Sequence, residues 1–216
     1  MISKNLKQRS YTSIFLLVTI ILIFYLKFFL VYSLIILGAL SIIEFFGIIK
    51  KIFKNKLFFM FINSAFALYI LLFCLFFFVL SNFIQFKIVL FILLCGCVAS
   101  DVGGFIVGKT IKGPKLTKIS PNKTISGSLG SILFTILIIL FMVYYYTDNI
   151  KINILTISLI TSLACQAGDL FFSFLKRKAK IKDTGNFFPG HGGVLDRIDG
   201  ILFGVPLGFI SFILFY

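Results

Sequence analysis

The stretch from Gly168 to Asp199 reads GDLFFSFLKRKAKIKDTGNFFPGHGGVLDRID and joins the last two long apolar runs of the chain. It holds four of the seven acidic residues, six of the 21 basic residues and the only histidine. Carboxylates hold Mg²⁺, whereas clustered Lys and Arg and free backbone N–H groups hold phosphate oxygens. The stretch therefore predicts two helices joined by a polar connection, with phosphate chemistry at that connection.

Composition places the rest of the chain in a membrane. Hydrophobic residues make up 60% of the chain and charged residues 13%, against roughly 45–50% and about 25% in soluble globular domains. The net charge of +14 does not indicate a nucleic-acid partner, because the basic residues form short clusters between apolar runs instead of covering a polar surface. We expect an integral membrane protein that binds no nucleic acid.

Seven apolar runs approach the length of about 20 residues with which a helix crosses a bilayer. They cover residues 11–26, 28–49, 57–80, 88–108, 125–146, 152–175 and 193–216. The predicted fold class is all-α, a polytopic transmembrane helix bundle of about seven spans. The first run resembles a signal peptide, but no small-residue cleavage site follows it at Tyr25–Lys27, so we expect an uncleaved span.

The distribution of Lys and Arg predicts the orientation of these spans. When the loops are assigned alternately to two sides, eighteen basic residues fall on one side and three fall on the other, namely Lys27, Lys87 and Lys151. The positive-inside rule then places the N-terminus in the cytoplasm and the C-terminus outside. We expect residues 1–87 to form a lipid-facing scaffold and residues 88–216 a catalytic region with cytoplasmic loops 109–124 and 176–193.

Five acidic residues fall inside or just at the start of these spans. Glu44, Asp101 and Asp169 lie six to eight residues before the basic ends of their runs, and Asp196 and Asp199 begin the last one. A charged side chain at mid-bilayer costs about 2.5–3.5 kcal/mol on insertion scales. Because all five share a depth on the basic side, the sequence predicts one polar cavity open to the cytoplasm, with cations as partners.

A weak internal repeat has a period of 68 residues. Cys97-Val-Ala-Ser-Asp101 recurs as Cys165-Gln-Ala-Gly-Asp169, and at the same offset Lys112 matches Lys180 and Pro121 matches Pro189. The pattern predicts two parallel helix-loop-helix units. The four cysteines all lie in apolar runs without CxxC spacing, so we expect them to pack as small apolar residues and not to bind zinc.

Three segments carry a family resemblance. The residues of the first are Ser173, Lys176, Arg177, Lys182, Asp183, Pro189, His191, Gly192, Gly193, Asp196, Arg197 and Asp199. They resemble the C-terminal signature of the phosphatidate cytidylyltransferase (CDP-diacylglycerol synthase) family. Ser120-Pro-Asn-Lys-Thr-Ile-Ser-Gly127 is similar to that family's SPxKTxxG-type segment, and Asp101–Phe105 resembles its D-x-x-A-Y-type segment, with Val102 and Phe105 departing from it.

The resemblance implies that Asp169, Asp196 and Asp199 hold a divalent metal. Asp196 and Asp199 are three residues apart, so they share a helix face and suit a common cation. An oxygen-only set of three acids fits Mg²⁺, which keeps waters and takes substrate phosphates as further ligands. A second cation is left open. The alternative is that Arg197 pairs with one of these aspartates and holds the helix in place.

The other motif residues are expected to bind substrate phosphates. Lys176, Arg177, Lys182 and Arg197 are candidate clamps, and His191 could donate to a phosphate or to leaving pyrophosphate, or could hold its loop. Gly190, Gly192 and Gly193 precede the last helix and form either an anion site at its positive end or a plain turn. The candidates for nucleotide contact are Ser120, Lys123, Thr124 and Asp101. Capping of the fifth run by Thr124 or Ser126 is the alternative.

The resemblance implies an enzyme that transfers CMP from CTP to phosphatidic acid, releasing pyrophosphate and forming CDP-diacylglycerol. Its partners would be CTP, phosphatidic acid and the lipid bilayer of a bacterial cytoplasmic (inner) membrane, with the active site facing the cytoplasm; a homodimer is left open. One alternative is a CTP-dependent lipid-alcohol kinase. CDP-alcohol phosphatidyltransferases are disfavoured, because Asp196–Gly200 begins their motif but no Ala-Arg follows. A cation transporter would also use intramembrane acids.

Overall fold

The computed structural model describes residues 18, 22–23, 25–117, 119–121, 123–149, 151–185, 187 and 192–216. Within these residues the fold is all-helical and contains no strand. We number its six helices in chain order: α1 Lys27–Ile52, α2 Lys56–Leu80, α3 Ile84–Thr110, α4 Ile125–Thr147, α5 Asn153–Lys178 and α6 Leu195–Phe215.

All six helices are long and apolar enough to cross a membrane, and the chain is an integral membrane protein. Each coincides with one of the predicted runs, so the all-α polytopic prediction is confirmed for these spans. Most of the first predicted run, 11–26, lies outside the described residues. The predicted orientation stays a prediction.

The chain forms two compact units, and both α5 and α6 pass from one unit to the other. Unit 1 contains the described residues of Met1–Phe83 together with Leu175–Ile198, and unit 2 contains Ile84–Phe174 and Asp199–Tyr216. The predicted functional division near residue 87 stays a prediction. In unit 1, α1 packs on α2, where the rings of Phe45 and Phe66 stack with their centroids 3.7 Å apart.

In unit 2, α3 and α4 pack backbone against backbone. A Cβ atom added to Gly103 would lie 2.6 Å from the carbonyl oxygen of Gly130, and one added to Gly127 would lie 2.9 Å from that of Gly104. The buried hydroxyl of Ser131 donates to the carbonyl oxygen of Ser100 at 2.7 Å. Membrane helices associate closely where small residues line both surfaces, and this approach brings polar residues of α3 and α4 to one cavity.

The predicted 68-residue repeat has local counterparts in the structure. α3 ends at Thr110 and α5 ends at Lys178, which is the same offset. Two residues after each end, Lys112 and Lys180 adopt left-handed conformations with φ of 57° and 58°. A left-handed residue is a common way to terminate a helix. Two helices whose ends match at the repeat offset, with the same terminating conformation, support the predicted pair of helix-loop-helix units.

Candidate functional site

The connection between α3 and α4 folds back on itself and returns a lysine to the start of α4. The N–H of Leu116 donates to the carbonyl oxygen of Lys123 at 2.8 Å, and the N–H of Ile125 donates to that of Pro114 at 3.0 Å. Thr124 then caps α4, because its hydroxyl oxygen accepts from the N–H of Gly127 at 3.1 Å. The capping alternative is confirmed for Thr124, and the fold-back places Lys123 over the cavity described next.

A cavity of about 300 Å³ lies in unit 2. Five residues predicted from the sequence to bind substrate or metal line it together: Asp101, Ser120, Lys123, Thr124 and Asp169. The remaining polar lining comes from Ser128, Ser131 and Gln166. The structure therefore brings the SPxKTxxG-type segment and an acid of α5 to the walls of one space, although they are far apart in sequence.

Lys123 and Asp169 form an ion pair in this cavity. The ammonium nitrogen of Lys123 lies 2.9 Å from Oδ2 of Asp169, and the two side chains are 33% and 19% exposed. A charge-assisted hydrogen bond of this kind contributes about 1.5–3 kcal/mol where water is largely excluded. The pair partly neutralises Asp169, which stands in the apolar part of α5.

Asp169 and Asp199 both border Gly200. A Cβ atom on Gly200 would lie 3.0 Å from Oδ1 of Asp169, and the Gly200 N–H donates to Oδ1 of Asp199 at 3.0 Å. Within the described residues no three His, Cys, Asp or Glu side chains converge as a metal-ligand group. Carboxylate oxygens on either side of Gly200 are chemically suited to Mg²⁺, which binds through one or two carboxylates together with substrate phosphates.

Gln166 is a cavity residue that the sequence analysis missed. Its side-chain carbonyl accepts from the Ser128 hydroxyl, and its amide donates to Ser162 Oγ at 3.2 Å and to the Ser128 carbonyl oxygen at 3.3 Å. These contacts fix the amide and join α5 to α4. A signal existed in the sequence, since Gln166 lies three residues before Asp169 and shares its helix face.

Unit 1 contains a second polar cluster around Asp196. Oδ1 of Asp196 accepts from the ammonium group of Lys176 at 2.6 Å, and both side chains are largely buried. Oδ2 accepts from the N–H of Thr184 at 2.8 Å, from its hydroxyl at 3.0 Å and from the N–H of Gly193 at 3.0 Å. The carboxylate predicted as a metal ligand thus has four internal donors, and its metal role stays a prediction.

Glu44 lies on α1 and reaches the same part of unit 1. Its carboxylate accepts from the N–H groups of Val194 and Leu195, each at 2.9 Å, and from the Thr184 hydroxyl at 2.6 Å. Of the N–H groups predicted to form an anion site before α6, that of Gly193 donates to Asp196, and the N–H groups that follow it at the start of α6 donate to Glu44. Substrate binding by Gly192 and Gly193 stays a prediction.

The remaining predicted clamps lie at the protein surface. Arg177, Lys182 and Arg197 are exposed, and Arg177 donates to the carbonyl oxygen of Ile181 at 3.4 Å. Exposed guanidinium and ammonium groups suit contact with charged headgroups or nucleotide phosphates. His191 and Gly190 lie outside the described residues, so their predicted roles stay predictions.

Fold and cavity together define a polytopic helical membrane protein that presents lysine, carboxylate and hydroxyl groups to a space inside its helices. These groups together suit the binding of polyanionic substrates at a membrane. A sequence model of the cytidylyltransferase family matches residues 2–215. The chain belongs to the cytidylyltransferase family.

Several curated relatives are named phosphatidate cytidylyltransferase. The chain is 43% identical over 132 residues to the protein of Rickettsia typhi, covering 57% of this chain and 58% of that one. It is 45% identical over 134 residues to the protein of Rickettsia felis, with coverages of 57% and 59%. For the protein of Staphylococcus aureus strain COL the values are 43% over 110 residues, 50% and 42%. The chain thus spans about half the length of the curated relatives it matches.

Proposed function

We propose that the chain transfers CMP from CTP to phosphatidic acid, forming CDP-diacylglycerol and pyrophosphate. The observation that carries the proposal is the cavity in unit 2, where Ser120, Lys123 and Thr124 meet Asp169. Membership of the cytidylyltransferase family supports the use of CTP. The names of the relatives support phosphatidic acid as the acceptor.

The reaction joins two anions. A phosphate oxygen of the lipid attacks the α-phosphorus of CTP, a new P–O bond forms, and the bond to the leaving pyrophosphate breaks. The second pKa of a phosphate monoester is about 6, so the attacking oxygen is mostly ionised at neutral pH and needs no strong general base. The protein must instead neutralise charge and align the reactants, the terms that dominate transfer at phosphorus.

Lys123 is the residue best placed to neutralise charge. Its ammonium group is part-exposed at the cavity and lies on the connection that also carries Ser120 and Thr124. We propose that it exchanges Asp169 for phosphate oxygens when the nucleotide binds. The Ser120 hydroxyl would contact the nucleotide, whereas the Thr124 hydroxyl oxygen caps α4 by accepting from Gly127.

We propose that Asp169 and Asp199, which both border Gly200, hold Mg²⁺ in the loaded enzyme. When bound, the metal would supply positive charge to the phosphate oxygens of CTP. Gly200 matters to this arrangement because a side chain there would meet the Asp169 carboxylate and Cys165. Asp196 belongs to the same signature motif, and its predicted metal role stays a prediction.

The side of the membrane belongs to the same proposal. Five lysines precede α4 in the α3–α4 connection and its flanks, and Lys176, Arg177, Lys178, Lys180 and Lys182 mark the end of α5 and the segment after it. Positively charged loops stay in the cytoplasm. We therefore propose the cytoplasmic membrane of a bacterium, with the cavity reached from the cytoplasm, where CTP is made.

The test is an assay of the purified full chain with Mg²⁺, labelled CTP and phosphatidic acid. We expect CDP-lipid and pyrophosphate in equal amounts, and we expect Asp199→Asn to lose at least about 100-fold of the rate, the scale seen when one electrostatic group is removed from an active site. Asp148→Asn is the matched control, because Asp148 is an exposed acid at the end of α4.

Two outcomes would contradict the proposal. Wild-type protein that forms no CDP-lipid from these substrates removes the activity. Equal turnover by Asp199→Asn removes the metal assignment while leaving the activity in place. A lipid alcohol offered in parallel separates the kinase alternative, because phosphorylation of an alcohol would release CDP instead of pyrophosphate.

A further inference from the structure

Glu44 connects α1 to the start of α6 across 150 residues of sequence. Its two carboxylate oxygens accept from the N–H groups of Val194 and Leu195, and one also accepts from the Thr184 hydroxyl. Thr184 donates in turn to Asp196. We call these residues, with Lys176 and Gly193, the Glu44–Asp196 network; it ties both described ends of the α5–α6 connection to α1.

Three glycines of the connection leave room for this network. A Cβ atom on Gly185 would lie 2.8 Å from Oε1 of Glu44, and one on Gly193 would overlap both Glu44 and Thr184. Gly192 has φ of +82°, and a Cβ there would lie 2.8 Å from Oδ2 of Asp196. The glycines therefore allow the backbone to wrap two carboxylates closely.

The support beneath Glu44 is rigid. Ser41 and Ile48, one turn before and after it on the same face of α1, are fully buried in unit 1. A carboxylate held on a packed helix face loses little rotamer freedom when it accepts hydrogen bonds. It also meets N–H groups at the positive end of α6, where a negative charge is favoured. This compensates for placing an acid within a membrane span.

We infer that Glu44 is a positioning residue: it fixes the start of α6, which carries Asp196 and Arg197, in the conformation required for turnover. The inference rests on the proposed function, in which turnover is the formation of CDP-diacylglycerol. The bonds that carry it are internal to unit 1 and independent of any nucleotide. Both carboxylate oxygens of Glu44 accept hydrogen bonds from this chain, so its loss should reduce kcat and leave the KM for CTP, which we assign to the cavity in unit 2, nearly unchanged.

The experiment compares Glu44→Gln and Glu44→Ala with Asp148→Asn in the full chain in detergent. Hydrogen exchange of the Val194 and Leu195 amides should accelerate at least tenfold in Glu44→Ala, and exchange of at least one of them should accelerate in Glu44→Gln, while exchange of the Ser128 amide in α4 stays unchanged. Per folded enzyme, kcat should fall at least tenfold in Glu44→Ala and less in Glu44→Gln, which keeps one acceptor oxygen. The KM for CTP should change less than threefold.

A double-mutant cycle with Thr184→Val tests the route of the effect. Since the single hydroxyl proton of Thr184 lies between Glu44 at 2.6 Å and Asp196 at 3.0 Å, the valine removes the same bond to Glu44 that Glu44→Ala removes. The double variant should therefore lose little more kcat than the worse single variant, whereas independent effects would multiply. Thr184→Ser, which keeps the hydroxyl, should retain wild-type kcat.

Unchanged exchange of Val194 and Leu195 would overturn the inference, and so would faster exchange with unchanged kcat per folded enzyme. A purely structural role predicts less folded protein with the same kcat, which would also overturn it. If wild-type protein makes no CDP-lipid, the proposed function fails, and the exchange measurement still decides whether Glu44 holds the segment.

Discussion

Replacement of Lys123 by methionine should change the affinity for a divalent cation and the affinity for CTP in opposite directions. In the structure Lys123 is the partner of Asp169, with 2.9 Å between the ammonium nitrogen and Oδ2. A divalent cation bound by Asp169 must displace this ammonium group or share the carboxylate with it. CTP, in contrast, should bind more tightly when the ammonium group leaves Asp169 and contacts its phosphates.

The size of both affinity changes can be estimated from the Lys123–Asp169 ion pair. Two unit charges at this distance interact by about 6 kcal/mol at an effective dielectric constant of about 20, but Lys123 is one-third exposed and solvent screens it. Charge-assisted hydrogen bonds contribute about 1.5–3 kcal/mol net, and the exposure favours the lower end. About 1.4 kcal/mol corresponds to tenfold in affinity. We expect Lys123→Met to bind Mn²⁺ about tenfold more tightly without nucleotide and CTP about tenfold more weakly.

Free Mn²⁺ measured by electron paramagnetic resonance gives the metal affinity without nucleotide, and equilibrium binding of labelled CTP to the purified protein without metal gives the nucleotide affinity. Lys115→Met is the matched control, because Lys115 is an exposed lysine of the same connection that does not line the cavity. If both affinities of Lys123→Met fall together, Lys123 supports the fold instead of competing with the cation. If neither changes, the ion pair has no role in binding.

Two further predictions concern stability, measured with a thiol-reactive dye that reports exposure of the four free cysteines. Gly103→Ala should lower the melting temperature by about 3–10 °C, since overpacking costs about 1–3 kcal/mol and each kcal/mol shifts a chain of this size by about 2–4 °C. Gly47→Ala, with nothing within 4 Å of its Cβ, should not lower it, and equal losses would contradict the close approach of α3 and α4. Lys176→Met should cost about 1–3 kcal/mol by leaving a buried carboxylate without its cation, and adding Asp196→Asn should recover stability without activity. No recovery would show that Lys176 contributes through packing alone.

The spans could be predicted because apolar runs of about 20 residues have one stable form in a bilayer. Their ends were less predictable: α3 begins at Ile84, four residues before the predicted run, and α5 continues to Lys178 through a basic cluster. Helical hydrogen bonding persists beyond the apolar core, into regions where Lys and Arg side chains reach water. A hydropathy pattern alone therefore does not predict these terminal helical turns.

The site was predictable as a set of residue types and not as a set of pairs. The cost of intramembrane acids indicated that Glu44 and Asp169 need partners, but the partners are 150 and 46 residues away in sequence and depend on how the connections fold. Gln166 escaped notice because an amide costs less than a charge in an apolar span. An anion site or a plain turn was predicted at Gly190, Gly192 and Gly193, and nothing in the sequence shows that the N–H groups of Gly193, Val194 and Leu195 donate to carboxylates of this chain.

The glycine contact between α3 and α4 has a consequence for how a lipid could reach the cavity. Where Gly103 faces Gly130, main-chain atoms touch and no crevice remains between the two helices for a fatty-acyl tail. If the acceptor is phosphatidic acid, as proposed, it must approach the cavity along another flank of unit 2. A photoreactive fatty-acyl analogue of phosphatidic acid should consequently leave this seam unlabelled while marking the flank by which it enters.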